Sequence, residues 1–351
     1  MTGVAWLIAA AAVGLAAGIG GARWMLARAR RGRVRIDFPD PRRLHRVPTP
    51  RGGGIGIIVA GLLAVPLALP VAERAEPGML VVLVLAWGLP LGALGVVDDH
   101  RELAPRFKLA VQLVAATVAA ALGLRVPELA LPPLGTIALG PLALPFSVLW
   151  LVWMANVFNF MDGMDALAAE CGALFAAGLA ALAVSGGAPA LGALALAVGG
   201  ALLGFLRYNA APARIFMGDG GSLFTGAVLG GLGLALARTD VAGVPPVVTA
   251  LLLGSFVFDA TFTVVRRALR GQALRPHRTH FYQRLALAGW PHHRVRALYV
   301  GLSAGGVAAA FGFWHASAAV QAAILLAAAV ALGAVVVVTR RCERDARRFG
   351  G

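Results

Sequence analysis

The sequence predicts an all-α polytopic integral membrane protein with about ten or eleven transmembrane helices. Hydrophobic residues make up 59% of the 351 residues and charged residues only 13%, whereas soluble domains average about 25% charged residues. The mean hydropathy is +0.81, and apolar runs near the bilayer-spanning length of about 20 residues recur along the chain. This composition excludes a soluble globular enzyme, a disordered protein and a disulfide scaffold.

Eleven apolar runs predict the helices in chain order. They cover residues 4–22, 52–71, 78–97, 106–124, 142–160, 166–185, 188–206, 222–237, 245–265, 296–314 and 318–338. The charges of the first run follow it, so we expect a retained span and not a cleaved signal peptide. Because the connecting segments are short, residues 1–351 are expected to form a single multi-spanning domain. The Pro-rich, alternating segment 125–145 predicts either a plain outer loop or a small hairpin.

The basic residues fix the predicted orientation. With the N-terminus outside, 28 of the 31 Lys+Arg fall on the inside, and only Arg74, Arg125 and Arg238 fall outside. Such a bias predicts a cytoplasmic basic face, with residues 339–351 as a basic cytoplasmic tail. The net charge of +15 is therefore interpreted as a topology signal, and nucleic acid is not an expected partner because no nucleic-acid-binding motif accompanies the charge.

The informative carboxylates gather at the inner ends of the predicted helices. Asp98 and Asp99 are adjacent and end the third span. Two neighbouring carboxylates repel each other, and a hard divalent cation with oxygen ligands relieves that repulsion. The pair therefore predicts a site for a divalent metal ion, with a solvated helix end as the alternative.

A second polar motif, N-V-F-N-F-M-D-G-M-D, follows the fifth span at residues 156–165. Asn156, Asn159, Asp162 and Asp165 are spaced by three and would share one face of a helical turn. Amides can bind a base or sugar, and the carboxylates can bind ribose hydroxyls or a metal. The alternative is that the acids only cap the next helix.

The third motif is F-M-G-D-G-G-S, residues 216–222, at the start of the eighth span. Glycines on both sides of Asp219 allow a close approach of backbone to ligand, and the N–H groups of a helix start favour phosphate. Lys108 is the only lysine of the chain, and a compact ammonium near the paired acids is chemically distinct from arginine. An ordinary interfacial anchor is the alternative interpretation of Lys108.

Two inner loops combine histidine with arginine. One holds His45 and Arg51, and the later one holds Arg278, His280 and Arg284. Such residues can clamp a diphosphate through charge-assisted hydrogen bonds. The alternative is a basic inner loop with incidental histidines.

These motifs, in this order and on one face, resemble the polyprenyl-phosphate N-acetylhexosamine-1-phosphate transferase family over about residues 40–290. The resemblance implies a helix bundle in the bacterial cytoplasmic (inner) membrane with a cytoplasmic active-site cleft. It implies transfer of sugar-1-phosphate from a UDP-N-acetylhexosamine to undecaprenyl phosphate, with release of UMP. It also implies Mg²⁺, with Mn²⁺ as an alternative ion, membrane lipid around the bundle, and compatibility with a homodimer.

The resemblance assigns roles residue by residue. The catalytic candidates that it implies are Asp98, Asp99, Lys108, Asp219 and His280, with Asp219 and Asp99 as metal ligands. The substrate-binding candidates are His45, Arg51, Asn156, Asn159, Asp162, Asp165, Asn209, Arg278 and Arg284.

One departure from the family's motifs narrows the choice of UDP-sugar donor. The family's H-x-H-H motif is H-F-Y-Q here, residues 280–283, which argues against UDP-MurNAc-pentapeptide. The loops and the D-A-T-F-T run beginning at Asp259 look like the branch that initiates O-antigen, which implies UDP-GlcNAc, UDP-QuiNAc or UDP-FucNAc and cell-surface polysaccharide synthesis. Two other functions stay open from the residues: an intramembrane prenyltransferase that uses Mg²⁺-prenyl diphosphate, and a secondary transporter.

Overall fold

The computed structural model describes residues 3–39, 47–73, 75–131, 135–238, 240–272 and 277–349. Its helices are α1 (Gly3–Arg30), α2 (Ile55–Ala68), α3 (Glu76–Val81), α4 (Leu89–Arg101), α5 (Pro105–Ala121), α6 (Ala143–Met161), α7 (Leu167–Ser185), α8 (Pro189–Asn209), α9 (Gly218–Ala237), α10 (Pro246–Leu252), α11 (Gly254–Ala268), α12 (Phe281–Leu287), α13 (His292–Trp314) and α14 (Ala318–Phe349). A π-helical stretch, Val82–Gly88, joins α3 to α4, and 3₁₀ turns occupy Leu69–Val71 and Gly140–Leu142.

Two short antiparallel hairpins complete the fold. The strands β1 (Ile36–Asp37) and β2 (Thr49–Pro50) form one pair, and β3 (Glu128–Leu131) pairs with β4 (Gly135–Ala138) in the second. Of the two alternatives left open for segment 125–145, a plain loop or a small hairpin, the second pair shows the hairpin.

The predicted all-α membrane fold is confirmed. Eight helical segments of the described chain are long and apolar enough to cross a membrane, and a ninth is added if α10 and α11, bent by 87°, form one broken span. The eight are Gly3–Arg30, Glu76–Arg101, Gly140–Met161, Leu167–Ser185, Pro189–Asn209, Gly218–Ala237, His292–Trp314 and Ala318–Arg348. Each predicted run falls on a helix, but α2 and α5 are shorter, and the 17 residues of α5 rise only about 25 Å at 1.5 Å per residue.

Small residues let α1 and α8 pack at backbone contact. A Cβ at Gly14 would lie 2.0 Å from the carbonyl oxygen of Ala197, and one at Gly18 would lie 2.1 Å from that of Ala201. Small residues four apart permit this approach in lipid, where van der Waals contact replaces the hydrophobic effect between helices. The N-terminal helix is thereby held against the interior of the bundle.

The same device brings the acidic motifs together. Helix α9 is the central element, buried along 94% of its span, and its first turn lies against the last turns of α4. A Cβ at Gly95 would be 2.3 Å from the backbone carbonyl carbon of Asp219. Any larger residue at Gly95 would separate the two helices, so this glycine sets the distance between the acidic pair and Asp219.

The opposite end of the bundle is held by a buried carboxylate. Glu76, at the start of α3, is 1% exposed. Its carboxylate accepts hydrogen bonds from the backbone N–H of Leu191, at 2.9 Å, and of Glu73, at 2.7 Å. Glu76 therefore supplies an acceptor for the first turn of α8, far along the membrane normal from the acidic motifs.

Candidate active site

Asp99 caps the central helix. Its Oδ1 accepts a hydrogen bond from the backbone N–H of Asp219 at 2.9 Å, and its Oδ2 accepts one from the N–H of Gly220 at 3.2 Å. A carboxylate at a helix N-terminus satisfies free N–H groups and complements the helix dipole. Both oxygens of Asp99 are therefore engaged with backbone, and the metal role implied for Asp99 stays a prediction.

Asp98 and Asp219 face a shared cation. The Nζ of Lys108 lies 2.6 Å from Oδ2 of Asp98 and 3.5 Å from Oδ2 of Asp219. The backbone N–H of Leu103 donates to Oδ1 of Asp98 at 2.7 Å, so one oxygen of that carboxylate is fixed by the turn after α4. The structure thus joins three of the catalytic candidates at the inner end of α9.

The donor chemistry of this cluster fits Mg²⁺ in one of its usual modes. No group of three or more His, Cys, Asp or Glu side chains within the described ranges is arranged as a complete metal cage. Protein-bound Mg²⁺ commonly uses one or two carboxylates together with substrate phosphates and water. The hard oxygens of Asp98 and Asp219, which converge on Lys108, supply that smaller donor set.

Asn156 and Asn159 lie on the last turns of α6 and connect it to two other helices. The Nδ2 of Asn156 donates to Oε1 of Gln112 on α5 at 2.7 Å, and the Nδ2 of Asn159 donates to Oγ of Ser222 on α9 at 2.8 Å. The expected single helical face is wrong for the four-residue motif. Helix α6 ends at Met161, and Ala166 has a left-handed φ of 65°.

Asp165 and Asn209 hold the loops that follow. The backbone N–H of Ala213 donates to Oδ2 of Asp165 at 2.9 Å. Asn209 is buried; its Oδ1 accepts from the N–H of Ala166, and its Nδ2 donates to the carbonyl of Ile215, both at 2.9 Å. These contacts shape the walls of the site, and direct contact of Asp165 or Asn209 with substrate stays a prediction.

Asp162 differs from its neighbours. Its side chain is half-buried and is not hydrogen-bonded to any residue that the structure describes. Burial raises the pKa of Asp162 well above its ordinary value, and the negative charge of Asp219 raises it further. A carboxylate beside the acidic cluster that has no hydrogen-bond partner among the described residues is available to a ligand.

Arg51 links the N-terminal loop to the acidic pair. Its Nε lies 2.9 Å from Oδ2 of Asp37, and its Nη1 lies 3.8 Å from Oδ1 of Asp99. Asp37 was not predicted as a site residue, because an acid in a basic segment is usually solvated; in the structure Asp37 is only 7% exposed. His45 lies outside the described residues.

The R-G-G-G segment, residues 51–54, is fixed by backbone hydrogen bonds against the F-M-G-D-G-G-S motif, residues 216–222. The N–H groups of Gly53 and Gly54 donate to the carbonyls of Phe216 and Met217 at 2.9 and 3.0 Å. A cavity of about 140 Å³ opens beside it, between the inner ends of α1, α2 and α4. Its lining combines apolar side chains such as Trp24 with Arg28, Arg33 and Arg51, and it reaches Asp99.

His280 approaches the site from the late inner loop. It is 3% exposed, and its Nδ1 lies 3.2 Å from Oδ1 of Asp259. The hydroxyl of Tyr282 donates to the carbonyl of Phe160 at 3.1 Å, and a Cβ at Gly163 would be 2.1 Å from that hydroxyl oxygen. Gly163 therefore lets the His280 segment sit against the loop that carries Asp162.

The departure at H-F-Y-Q has a structural role. The Oε1 of Gln283 accepts the backbone N–H of His280 at 3.3 Å, so the glutamine closes the first turn of α12. Arg284 makes a two-point ion pair with Glu343 of α14, each bond 2.7 Å, and is turned to the C-terminal helix. Arg278 is half-exposed. The substrate contacts implied for Arg278 and Arg284 stay predictions.

Comparison with known proteins identifies related sequences. The sequence model of "Glycosyl transferase family 4" matches residues 80–237, which include Asp98, Lys108, Asp162 and Asp219. A "probable undecaprenyl-phosphate N-acetylglucosaminyl 1-phosphate transferase" of Bacillus subtilis (strain 168) is 36% identical over 266 residues, covering 73% of this chain and 71% of the relative.

Two further relatives match over longer stretches. The "decaprenyl-phosphate N-acetylglucosaminephosphotransferase" of Mycolicibacterium smegmatis is 32% identical over 340 residues, covering 87% of this chain and 82% of the relative. The "phospho-N-acetylmuramoyl-pentapeptide-transferase" of a Synechococcus species is 33% identical over 306 residues, covering 80% of this chain and 84% of the relative. The match extends well beyond the acidic motifs.

Proposed function

The chain belongs to glycosyl transferase family 4, and on that basis we propose that it transfers an N-acetylhexosamine-1-phosphate group from a UDP-sugar to undecaprenyl phosphate, releasing UMP. The observation that carries the proposal is the convergence of Asp98, Lys108 and Asp219 at the start of the central helix. The names of the relatives favour this transferase over the prenyltransferase and transporter alternatives.

The reaction needs charge neutralisation more than it needs a base. An oxygen of the lipid phosphate attacks the β-phosphorus of the UDP-sugar, and the bond from that phosphorus to the bridging oxygen breaks as UMP leaves. Both partners are anions and repel each other. A phosphate monoester has a second pKa of about 6, so the attacking oxygen is mostly ionised at neutral pH without a catalytic base.

Asp98 and Asp219 would hold the metal ion in this proposal. When bound there, Mg²⁺ would neutralise the diphosphate and stabilise the leaving UMP. Lys108 then has two tasks: its ammonium keeps the two carboxylates close together before substrate arrives, and it can donate to a phosphate oxygen afterwards. Asp98 orients the lipid phosphate through that same ammonium.

The free carboxylate of Asp162 supports a nucleotide site on the α6 side of the cluster. Acidic groups accept hydrogen bonds from ribose hydroxyls, and the amides of Asn156 and Asn159 stand on the turns just before it. Arg51 and the apolar, arginine-lined cavity beside Asp99 support a lipid-phosphate approach from the α1–α2 side. The two substrates would then meet over the start of α9.

A direct single displacement is the mechanism we favour. The two phosphate-bearing substrates can occupy opposite sides of one cluster, so no enzyme-bound sugar phosphate is needed. A covalent aspartyl-phosphosugar is the competing mechanism. Radiolabel retained on denatured enzyme after incubation with donor alone would overturn the single displacement.

The donor and its biological use complete the proposal. The N-acetylglucosaminyl relatives and the H-F-Y-Q loop support UDP-GlcNAc or a close relative such as UDP-QuiNAc or UDP-FucNAc, used to initiate a cell-surface polysaccharide of the O-antigen or cell-wall type. The 28 inner basic residues support an active site on the cytoplasmic face of the inner membrane. A homodimer is part of the same proposal, to be checked by light scattering of the purified protein.

The deciding assay measures UMP release by purified protein with Mg²⁺, undecaprenyl phosphate and a panel of UDP-N-acetylhexosamines. We expect UMP from one donor only, dependent on lipid and abolished in Asp219→Asn. Omission of Mg²⁺, with Mn²⁺ added in parallel, tests the metal. Folded protein that releases no UMP from any donor would refute the proposal. Release of pyrophosphate from a prenyl diphosphate would instead identify the protein as a prenyltransferase.

A further inference from the structure

Asp259 is the most heavily hydrogen-bonded carboxylate of the described chain and lies outside residues 80–237. It is 0% exposed on α11. Five donors converge on it from the start of α12, from α13 and from its own helix. They are the N–H groups of Phe281 (2.9 Å) and Tyr282 (3.2 Å), Nδ1 of His280 (3.2 Å), the hydroxyl of Tyr299 and Oγ1 of Thr263 (3.3 Å).

This arrangement determines which His280 nitrogen carries the proton. An ionised carboxylate is an acceptor only, and four of the five groups on Asp259 are unambiguous N–H or O–H donors. The fifth contact therefore has Nδ1–H of His280 as donor to Oδ1. In a neutral imidazole that leaves Nε2 as the unprotonated nitrogen.

The other ring nitrogen, Nε2, is not engaged by Asp259. The ring of His280 stands 5.0 Å from that of His277, 5.8 Å from that of Phe160 and 6.0 Å from that of Tyr282, centroid to centroid. Nε2 has no hydrogen-bond partner in the part of the chain that the structure describes. It is also not among the fully buried side-chain polar atoms that lack a partner, so this nitrogen is not closed off from a ligand. Phe160 leads directly into the loop of Asp162.

We propose that Asp259 is a positioning residue for the transfer reaction, acting through His280. Its charge fixes the Nδ1–H tautomer, and its bonds to the first turn of α12 hold the ring in place. Nε2 is then the nitrogen that accepts the proton of a substrate phosphate and, once protonated, donates Nε2–H to the ionised phosphate. The inference rests on the proposed function, since it takes the ligand at Nε2 to be the phosphate of a donor or acceptor. It assigns a role to an ionisable residue buried in a span, where such groups are costly.

The tautomer is measured without turnover. The chain has seven histidines, so ¹⁵N-histidine labelling followed by subtraction of the His280→Gln spectrum isolates one ring. At alkaline pH we expect wild-type His280 as the Nδ1–H tautomer, and Asp259→Asn shifted toward Nε2–H. A wild-type ring in the Nε2–H form overturns the proposal, whether or not the variant folds.

A matched control separates the charge from the fold. Tyr299→Phe removes one bond to Oδ2 of Asp259 and none to His280, so it should leave the tautomer unchanged although it touches the same carboxylate. An equal tautomer shift in Tyr299→Phe and Asp259→Asn would show that loosening α11 and α13 is sufficient, and this result would refute a specific Asp259–His280 coupling.

Kinetics supply the second test. Asp259→Asn should lower kcat for UMP release about 10²-fold, the lower range for loss of a positioned acid–base group, with little change in KM. In a His280→Gln background the same substitution should have almost no further effect, because coupled residues are not additive. Additive losses would mean a structural role only. If wild type releases no UMP, the proposed function fails, while the tautomer measurement still tests the Asp259–His280 pair.

Discussion

The Nζ of Lys108 lies 2.6 Å from Oδ2 of Asp98. Lys108 is the one lysine among the 31 Lys+Arg of the chain; the others are all arginine. The ammonium also lies 3.5 Å from Asp219, so a single point charge serves two carboxylates on different helices. A planar guanidinium has a fixed fork and prefers a two-point contact with one carboxylate. The geometry therefore explains why arginine does not stand at this position.

Lys108→Arg is expected to lower UMP release about 10²-fold, the loss typical when one preorganised donor is removed from a transition state. The charge is kept, but the fork cannot lie between Asp98 and Asp219 without displacing one of them. Steady-state kinetics measure the change. Arg106→Lys, an exposed substitution on the same helix turn, is the matched control and should retain normal rates. Full activity of Lys108→Arg would mean that only net charge matters here.

The contribution of Asp99 to stability and its contribution to metal binding can be measured separately. Asp99→Asn keeps one acceptor oxygen, and asparagine is a good N-cap, so the free energy of unfolding should fall by only about 1 kcal/mol; Asp99→Ala should lose more. Thermal unfolding in detergent measures both variants. If Asp99 also binds metal, the Mg²⁺ concentration for half-maximal UMP release rises in Asp99→Asn. An unchanged Mg²⁺ dependence would leave Asp99 as a helix cap only.

Glu76 gives a stability prediction at the other end of the bundle. Glu76→Gln replaces an acceptor oxygen with an NH₂ that faces the N–H of Leu191 or of Glu73, and a buried N–H left unsatisfied costs about 1–3 kcal/mol. The melting temperature should fall while the kcat of the remaining folded enzyme is unchanged. Glu73→Gln, at an exposed side chain, is the control and should melt like wild type. Equal melting of both variants would show that the cap contributes nothing.

The helices could be predicted from the sequence because each apolar run must satisfy its backbone internally in lipid. The convergence of Asp98 and Asp219 followed from their placement on one membrane face and from the family resemblance. The 87° bend between α10 and α11 was not predicted. The Gly254-Ser255 pair stands at the break and such pairs favour kinks, but small residues also occur in straight, closely packed spans. The contacts of Asp37 with Arg51 and of Glu343 with Arg284 were also missed, since each joins two separate segments whose approach depends on packing.

The carboxylate of Asp162 has no hydrogen-bond partner in the part of the chain that the structure describes, and its surroundings predict a dependence of stability on pH. Burial and the charge of Asp219 raise its folded-state pKa above the unfolded value near 3.8. Below the unfolded pKa the group is neutral in both states and contributes nothing. As the pH rises above that value, the unfolded chain ionises more readily than the folded protein, so the folded state is progressively destabilised until the pH exceeds the folded pKa.

Asp162→Asn should therefore melt at a higher temperature than wild type near neutral pH, and the difference should disappear toward pH 4. The comparison is made without divalent cations, because a cation bound near Asp162 would favour the charged form and reverse the effect. Asp165→Asn is the neighbouring control: its carboxylate accepts the N–H of Ala213, a bond that the asparagine oxygen can keep, so no rise in melting temperature is expected. A melting difference for Asp162→Asn that is the same at pH 4 and pH 8 would show that its carboxylate is not held in an unfavourable charged state, and would weaken its assignment as the acid reserved for the ligand.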